Sequence, residues 1–425
     1  MTHATFPPDV THHAALDARM VEAVRDIRLL TLTSWPASEQ ARFLDDLARG
    51  QPKLPAHAYP RHDFGEARRT LATVVAEADE DHPLGAYVIE SARSWDIAAQ
   101  LLEVLGTPAV ATHSIALYGH PEAPIPGGPS TREAARHFIE IADELDRELL
   151  SPAEQVDISA TALQLQLQRD LDHFFDGRMI EVVLDPDLIA KAAAGATRIR
   201  LRAGAAYSDY DRQQLYHHEA LVHSLTGLNG REQTVLPSLA LASPRTTATQ
   251  EGLATFAEQI TGSIDIERMK RLSLRIVAVA MALDGADFLD VFRHFRDAGQ
   301  SDVESFASAQ RVFRGVPTTG GAAFTKDAVY LRGLIGVHTF FRWALRHRQL
   351  RLCRLLFAGK MTLADVLRFE PLFDASEGEP ALLPPRWLPR WVARANGLAG
   401  MLAFSLFANR IRLDRILETE TVLDL

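Results

Sequence analysis

Tyr216-His217-His218-Glu219-Ala220-Leu221-Val222-His223 is the stretch on which the reading of this chain turns. Imidazole nitrogens are good zinc ligands, and a catalytic zinc site takes three protein ligands and keeps one position open. A carboxylate next to the first ligand can take a proton from water. The common form of this pattern spaces its histidines four apart, roughly 40° around an ideal helix. His218 and His223 are five apart, roughly 140° on that helix. If they share a metal, the turn between them must bulge or widen, as single inserted residues in functional helices do. Without a metal, the two are unrelated helix residues in a chain with 16 histidines. His217 is six from His223, again roughly 120° away, which gives it a second-shell or surface role.

Outward toward the N-terminus, Met179 to Leu184 and Thr197 to Leu201 are strand candidates. The second alternates Ile199 and Leu201 with Arg198, Arg200 and Arg202. Beside the His-bearing helix (Asp209 to Leu225) it either pairs with an extended substrate or forms a sheet edge guarded by its arginines. Toward the C-terminus, Thr249-Gln250-Glu251-Gly252-Leu253-Ala254 follows a Ser/Thr-rich turn. Glu251 is a candidate third ligand, or a first-turn glutamate favoured by the helix dipole. Gly252 lets another backbone come close. Glu258, seven positions on, can orient a ligand histidine, serve as the ligand, or form a surface ion pair. Glu232 follows Gly227, Asn229 and Gly230 and ranks lower.

Further on, Arg311-Val312-Phe313-Arg314-Gly315 places two arginines three apart, close enough to share a helix face. A turn, Pro317 to Gly321, leads to Phe324-Thr325-Lys326-Asp327 and Tyr330. Arg311, Arg314 and Lys326 are candidates for binding a substrate carboxylate, because a guanidinium fork donates two parallel hydrogen bonds. Tyr330 is a candidate donor to an oxyanion. The structural alternative is solvated arginines and a core tyrosine. His338, eight after Tyr330, reads as a packed, hydrogen-bonded histidine.

The rest of the chain is mostly helical in pattern. Helices are expected at Ala15–Leu32, Ala37–Leu47, Gly65–Ala78, Ala86–Leu105, Thr131–Leu149, Ile264–Leu283, Asp287–Ala298 and Ala393–Ala408. Ala109 to Leu117 reads as a short strand. This is an α+β, mainly helical pattern, with no Gly-rich phosphate loop. The division is a loose tail over 1–15, a helical N-terminal lobe over 16–173 and a catalytic lobe over 174–425, with the lobes integrated. A net charge of -10 disfavours a nucleic-acid partner. No apolar run is long enough to span a membrane. One cysteine, Cys353, rules out an internal disulfide and a cysteine-rich metal site. The first residues lack the pattern of a signal peptide, so a cytoplasmic location is expected.

The pair HHEALVH and TQEGLA resembles the flavohaemoglobin expression-modulating QEGLA-motif proteins and, through them, the microtubule-associated tyrosine carboxypeptidases, which are zinc peptidases. Phe324-Thr325-Lys326-Asp327-Ala328-Val329-Tyr330 is similar to the same pattern. The resemblance covers Ala15 to about Leu413. It implies a zincin-like core with additional helices, His218, His223 and Glu251 on Zn2+, Glu219 as base, and a peptide or protein C-terminus as substrate. Best-studied members of that family remove a C-terminal tyrosine from tubulin. This chain has no long basic arm suited to a microtubule surface. The competing readings are a zinc amidohydrolase acting on a small molecule, and a regulatory protein with a vestigial site. An intact Glu219 argues against the second, since a structural site needs no base.

Overall fold

The computed structural model describes residues 6–145, 157–186, 188, 191–374 and 380–408. The first helix, α1 (Pro8–Ala23), begins inside the stretch expected to be a loose tail. Its buried face already includes Val10 and His13. Pro8 starts it at no cost, because a first-turn residue needs no N–H partner. The helices α2 (Leu29–Leu32), α3 (Ala37–Ala48), α4 (Gly65–Glu77) and α5 (Pro83–Glu103) follow.

One expectation is corrected just past α5. Ala109 to Leu117 is not a strand but most of α6 (Ala109–Tyr118). Val110, Ala111, Ser114 and Tyr118 are its buried residues, a three-to-four spacing that only a helix turns to one side. Ser114 Oγ also accepts from the Thr325 N–H at 2.7 Å, which docks α6 against the turn leading to Lys326. A capping box between Ser130 and Glu133 opens α7 (Thr131–Glu144). Of the helix expected to reach Leu149, residues 146–149 lie outside the described residues.

Two small sheets are present. The strands β1 (Ile158–Ser159) and β5 (Ala206–Tyr207) pair antiparallel around α8 (Ala160–Phe175). The other sheet runs β2 (Glu181–Asp185), β4 (Arg198–Arg202), β3 (Ala192–Ala194), parallel on the β2 side and antiparallel on the β3 side. The Arg-rich segment β4 is therefore the central strand. Both of its edges are already bonded, so it neither guards an edge nor pairs with a substrate. Its alternation still has a physical meaning: Ile199 and Leu201 are fully buried, while Arg198 and Arg200 face Glu181 and Asp185 across β2 at 3.3 and 3.2 Å.

The chain continues with α9 (Asp209–Gln214), a π-helical segment over Leu215–Ser224, and α10 (Leu225–Arg231) in one rod. It then proceeds through α11 (Thr247–Ile260), α12 (Ile266–Leu283), α13 (Phe288–Asp297), α14 (Asp302–Val312) and α15 (Val329–Arg346). The last helices are α16 (Leu350–Leu355), α17 (Leu363–Phe369), α18 (Arg390–Ala393) and α19 (Asn396–Ala408). The fold is α+β and mainly helical. No helix among the described residues is long and apolar enough to cross a membrane.

One hydrophobic core joins both halves of the chain. Phe43 of α3 packs edge-on against Phe288 and Phe292 of α13, with ring centroids 5.4 and 4.9 Å apart. Phe256 of α11 packs on Phe341 of α15 at 4.8 Å and on Trp391 at 5.8 Å. The backbones of α11 and α15 come close at Gly252 and Gly333. A Cβ on Gly252 would fall 2.2 Å from the Gly333 carbonyl, and one on Gly333 would fall 2.1 Å from the Ala248 carbonyl oxygen. Gly252 thus does what its position suggested, and Gly333 is the backbone that it admits. The single cysteine, Cys353, is buried, and burial pushes its thiol up to about 12.

Candidate metal centre

The π-helical segment solves the spacing problem of the two histidines. In a π-helix the N–H bonds five residues back, so residues five apart come over one another. His218 Nε2 and His223 Nε2 lie 3.2 Å apart. The expected widened turn is present, and it extends over ten residues rather than one.

From α11, Glu251 brings Oε2 to 3.7 Å from His218 Nε2 and 3.6 Å from His223 Nε2. The three ligand atoms lie within 4.8 Å of one another. Two nitrogens about 2.0–2.1 Å from one tetrahedral ion would sit roughly 3.3 Å apart. The donor set, two imidazoles and a carboxylate, suits zinc. The residues present therefore fit the metal that the spacing implied.

The surrounding groups hold this cluster in place. Glu258, also on α11, receives His218 Nδ1 at 2.5 Å, which leaves Nε2 facing the other ligands. A carboxylate behind a ligand histidine fixes its tautomer and raises its basicity. Arg268 of α12 donates two hydrogen bonds of 3.0 Å each to Glu258. Burial opposes a charge on His218, but Glu251, Glu258 and Glu219 overrule it and push the imidazole up to about 10. Lys326 Nζ donates to Glu251 Oε1 at 2.6 Å, on the side away from the histidines. Despite burial, Lys326 and the two histidines hold the Glu251 carboxyl well below the usual range.

Glu219 points to the same place but is not part of the ligand cluster. Its Oε1 is 3.9 Å from His218 Nε2, and its side chain is partly exposed. Glu219, His218 and Tyr330 all line one cavity of about 270 Å³. Tyr330 is buried on the first turn of α15, with Lys326 Nζ 5.6 Å from its ring centre. Burial, reinforced by Glu251, pushes its phenol up, so it keeps its proton as a donor.

Arg311 reaches the same cavity and is bound in a fork to Asp327 at 2.7 and 2.6 Å. Arg314 is half-buried, and its Nε is sealed without a partner. The other histidines stay out of the cluster. His217 lies edge-on to Tyr216 at 5.0 Å, and burial together with Arg212 pulls it down to about 4. His338 packs edge-on to Phe256 at 6.0 Å. Glu232 is exposed and faces Arg386 at 3.8 Å.

Lys191, Arg268, Arg275 and Lys360, all near the centre, went unread in the sequence. Burial pulls Lys360 down to about 8, against the opposing pull of Glu219 and Glu251. Arg275, on α12, lines the cavity. A signal for Arg275 existed: it follows Arg268 by seven residues, on one face of a helix whose Leu272, Leu274 and Ile276 are buried. Lys360 had none, because it reaches the site from a turn whose N–H is bonded to the Leu239 carbonyl at 2.7 Å.

Two comparisons with known proteins bear on the chain. No curated protein matches it. The family model described as microtubule-associated tyrosine carboxypeptidase matches residues 41–410.

Proposed function

This chain belongs to the microtubule-associated tyrosine carboxypeptidase family, and we propose that it is a zinc-dependent carboxypeptidase that removes a residue from a peptide or protein C-terminus. The observation that carries this reading is the convergence of His218, His223 and Glu251 beside a Glu219 that faces the same cavity. His218, His223 and Glu251 would hold the zinc. When bound, that ion supplies Lewis acidity toward a scissile carbonyl and acidifies water.

The chain's own groups do the rest. Glu219 takes a proton from the attacking water and returns it to the leaving amine. Tyr330 donates its hydroxyl to the oxygen that gains charge as the carbonyl becomes tetrahedral. Arg311 offers its guanidinium to the peptide's terminal carboxylate, with Asp327 holding it in place. Lys326 fixes Glu251, and Arg314 adds positive charge from behind. A cytoplasmic setting is consistent with a single, buried thiol.

The test combines metal content with turnover. Elemental analysis of protein purified without added metal is expected to find one zinc per chain. Glu219→Gln is expected to keep that zinc and to lose hydrolysis by about 10²–10⁴-fold. Peptides with a free terminal carboxylate should be cleaved, and their C-terminal amides should not. Zinc bound without His218 and His223, or full activity in the metal-replete Glu219→Gln protein, would refute the assignment.

A further inference from the structure

Helix α19 is apolar, yet it lies on the surface. Asn396–Ala408 contains no charged residue. Leu398 and Leu402 turn inward and are buried. Gly397, Gly400, Met401, Phe404 and Phe407 follow the three-to-four spacing of the opposite side, and all are exposed. Phe404 keeps 72% of its surface and Phe407 61%, the highest values among the large apolar side chains described. A surface helix ordinarily turns polar residues to the water. This one has turned two phenylalanines and a methionine there.

The charge around this helix is of one sign. Residues 328–364 and 380–408 hold ten Lys and Arg and no Asp or Glu, in a chain whose net charge is -10. These stretches contain α15, α16, α18 and α19, which pack on one another. Arg354 of α16 donates to the Ala393 carbonyl at 3.1 Å, which places it beside the start of α19. Arg390 opens α18 and Arg394 follows it, while Arg346 and Arg348 stand where α15 ends. All five of these arginines are exposed.

We propose that this face docks the protein on an anionic lipid surface, with α19 lying in the interface and the arginines against lipid phosphates. The partner must answer both features at once. A nucleic acid or an acidic peptide would pair with the arginines and leave the two rings in water. A second copy would cover the rings but, across a two-fold axis, would bring the same arginines face to face. A charged bilayer surface takes both: the rings enter the acyl boundary and the guanidiniums meet phosphate. The 13 residues of α19 span about 20 Å, short of the ~30 Å hydrocarbon layer, so the helix lies on the membrane and does not cross it.

The test is sedimentation of the full-length protein with vesicles. Phosphatidylcholine mixed with phosphatidylglycerol is expected to pull the protein down, and phosphatidylcholine alone much less. Added salt should weaken the binding. Arg390→Gln combined with Arg394→Gln should lower partitioning about 30-fold, since each arginine near an anionic surface contributes about 5-fold. Phe404→Ser combined with Phe407→Ser should lower it about 10-fold or more. Phe404→Trp should retain binding, and acyl-brominated lipid should quench its emission beyond the quenching of the parent protein. Failure of the mixed vesicles to bind the parent overturns the proposal. Unchanged binding by a folded Phe404→Ser, Phe407→Ser protein also overturns it, because the contact would then be purely ionic. A dimer in sedimentation equilibrium that this double variant abolishes, with no vesicle binding, would give the face to a second copy instead. Should the double variant fail to fold, the contrast between charged and neutral vesicles and the quenching of Phe404→Trp still decide.

Discussion

Glu258 and Asp17 each bury a carboxyl completely, and the fold holds them in different ways. Glu258 receives two hydrogen bonds from Arg268 and one from His218. Burial works against its charge, but these cations win and hold it at about 2. Asp17, on α1, receives the Ser238 N–H at 2.9 Å and the Ser238 hydroxyl at 2.5 Å, and Tyr87 lies 2.9 Å from that hydroxyl. No cation faces it. Burial outweighs the two hydrogen bonds and pushes it up to about 7. Neutral donors satisfy a carboxyl group's geometry without stabilising its charge in a dry interior. The chain keeps a full negative charge behind His218 of the candidate metal cluster, and lets it go where two parts of the fold are only being joined.

The largest test removes the charge at Glu258. Glu258→Gln removes the carboxylate that Arg268 and His218 bond and leaves an uncharged amide in its place. The expected cost is about 3–5 kcal/mol of stability in chemical denaturation. Zinc affinity should fall about 10–100-fold in competition with a chelator. Adding Arg268→Met should restore part of the stability, with a coupling of at least about 1 kcal/mol. Simple additivity of the two variants would show that the pair is not what holds Glu258 down.

The second test is a pH profile for Asp17. Its carboxyl stays protonated in the folded chain to about pH 7, but ionises near pH 4 when unfolded. Between these values the unfolded chain has released its proton and the folded chain has not. Stability therefore falls as pH rises from about 4 to about 7, by up to ~4 kcal/mol, and levels off above that. Asp17→Asn should flatten this component of the slope in urea melts taken across that range. A slope unchanged in Asp17→Asn would place the pH dependence elsewhere.

The smallest effect is expected of Ser238→Ala. It removes one donor from Asp17 and one partner from Tyr87, for a loss of about 1–2 kcal/mol. It should also move the Asp17 transition to higher pH, since a hydrogen bond that favoured the carboxylate is gone. Movement to lower pH would mean that the hydroxyl stabilises the protonated form.

What could be read from the sequence divides along similar lines. The convergence of His218, His223 and Glu251 was legible because metal-binding chemistry restricts residue type and spacing. Even the widened turn followed from a five-residue interval that an ideal helix cannot accommodate. Arg198 to Arg202 was legible as a strand but not as a central one, because strand order depends on partners whose sequence carries no address. Ala109 to Leu117 was misread because its valine and isoleucine favour strands locally, whereas contact with α5 and the Thr325–Ala328 turn makes it a helix. The pairing of Glu258 with Arg268 and the approach of Lys360 arise from packing between separate segments of the chain. No local pattern of residues contains them.

The contact of Gly252 with Gly333 also has a mechanical side. Where two helices touch backbone to backbone, no side chain lies between them to be compressed, and the contact acts as a pivot. Glu251 sits one residue from that pivot, a lever arm of about 1.5 Å along the axis. The far ends, Ile260 of α11 and Arg346 of α15, lie about 12 and about 20 Å from it. Any rocking of one helix on the other sweeps those ends and leaves Glu251 nearly still. Glu251 sits at the node of such a motion, so rocking would leave its place beside the two histidines nearly unchanged.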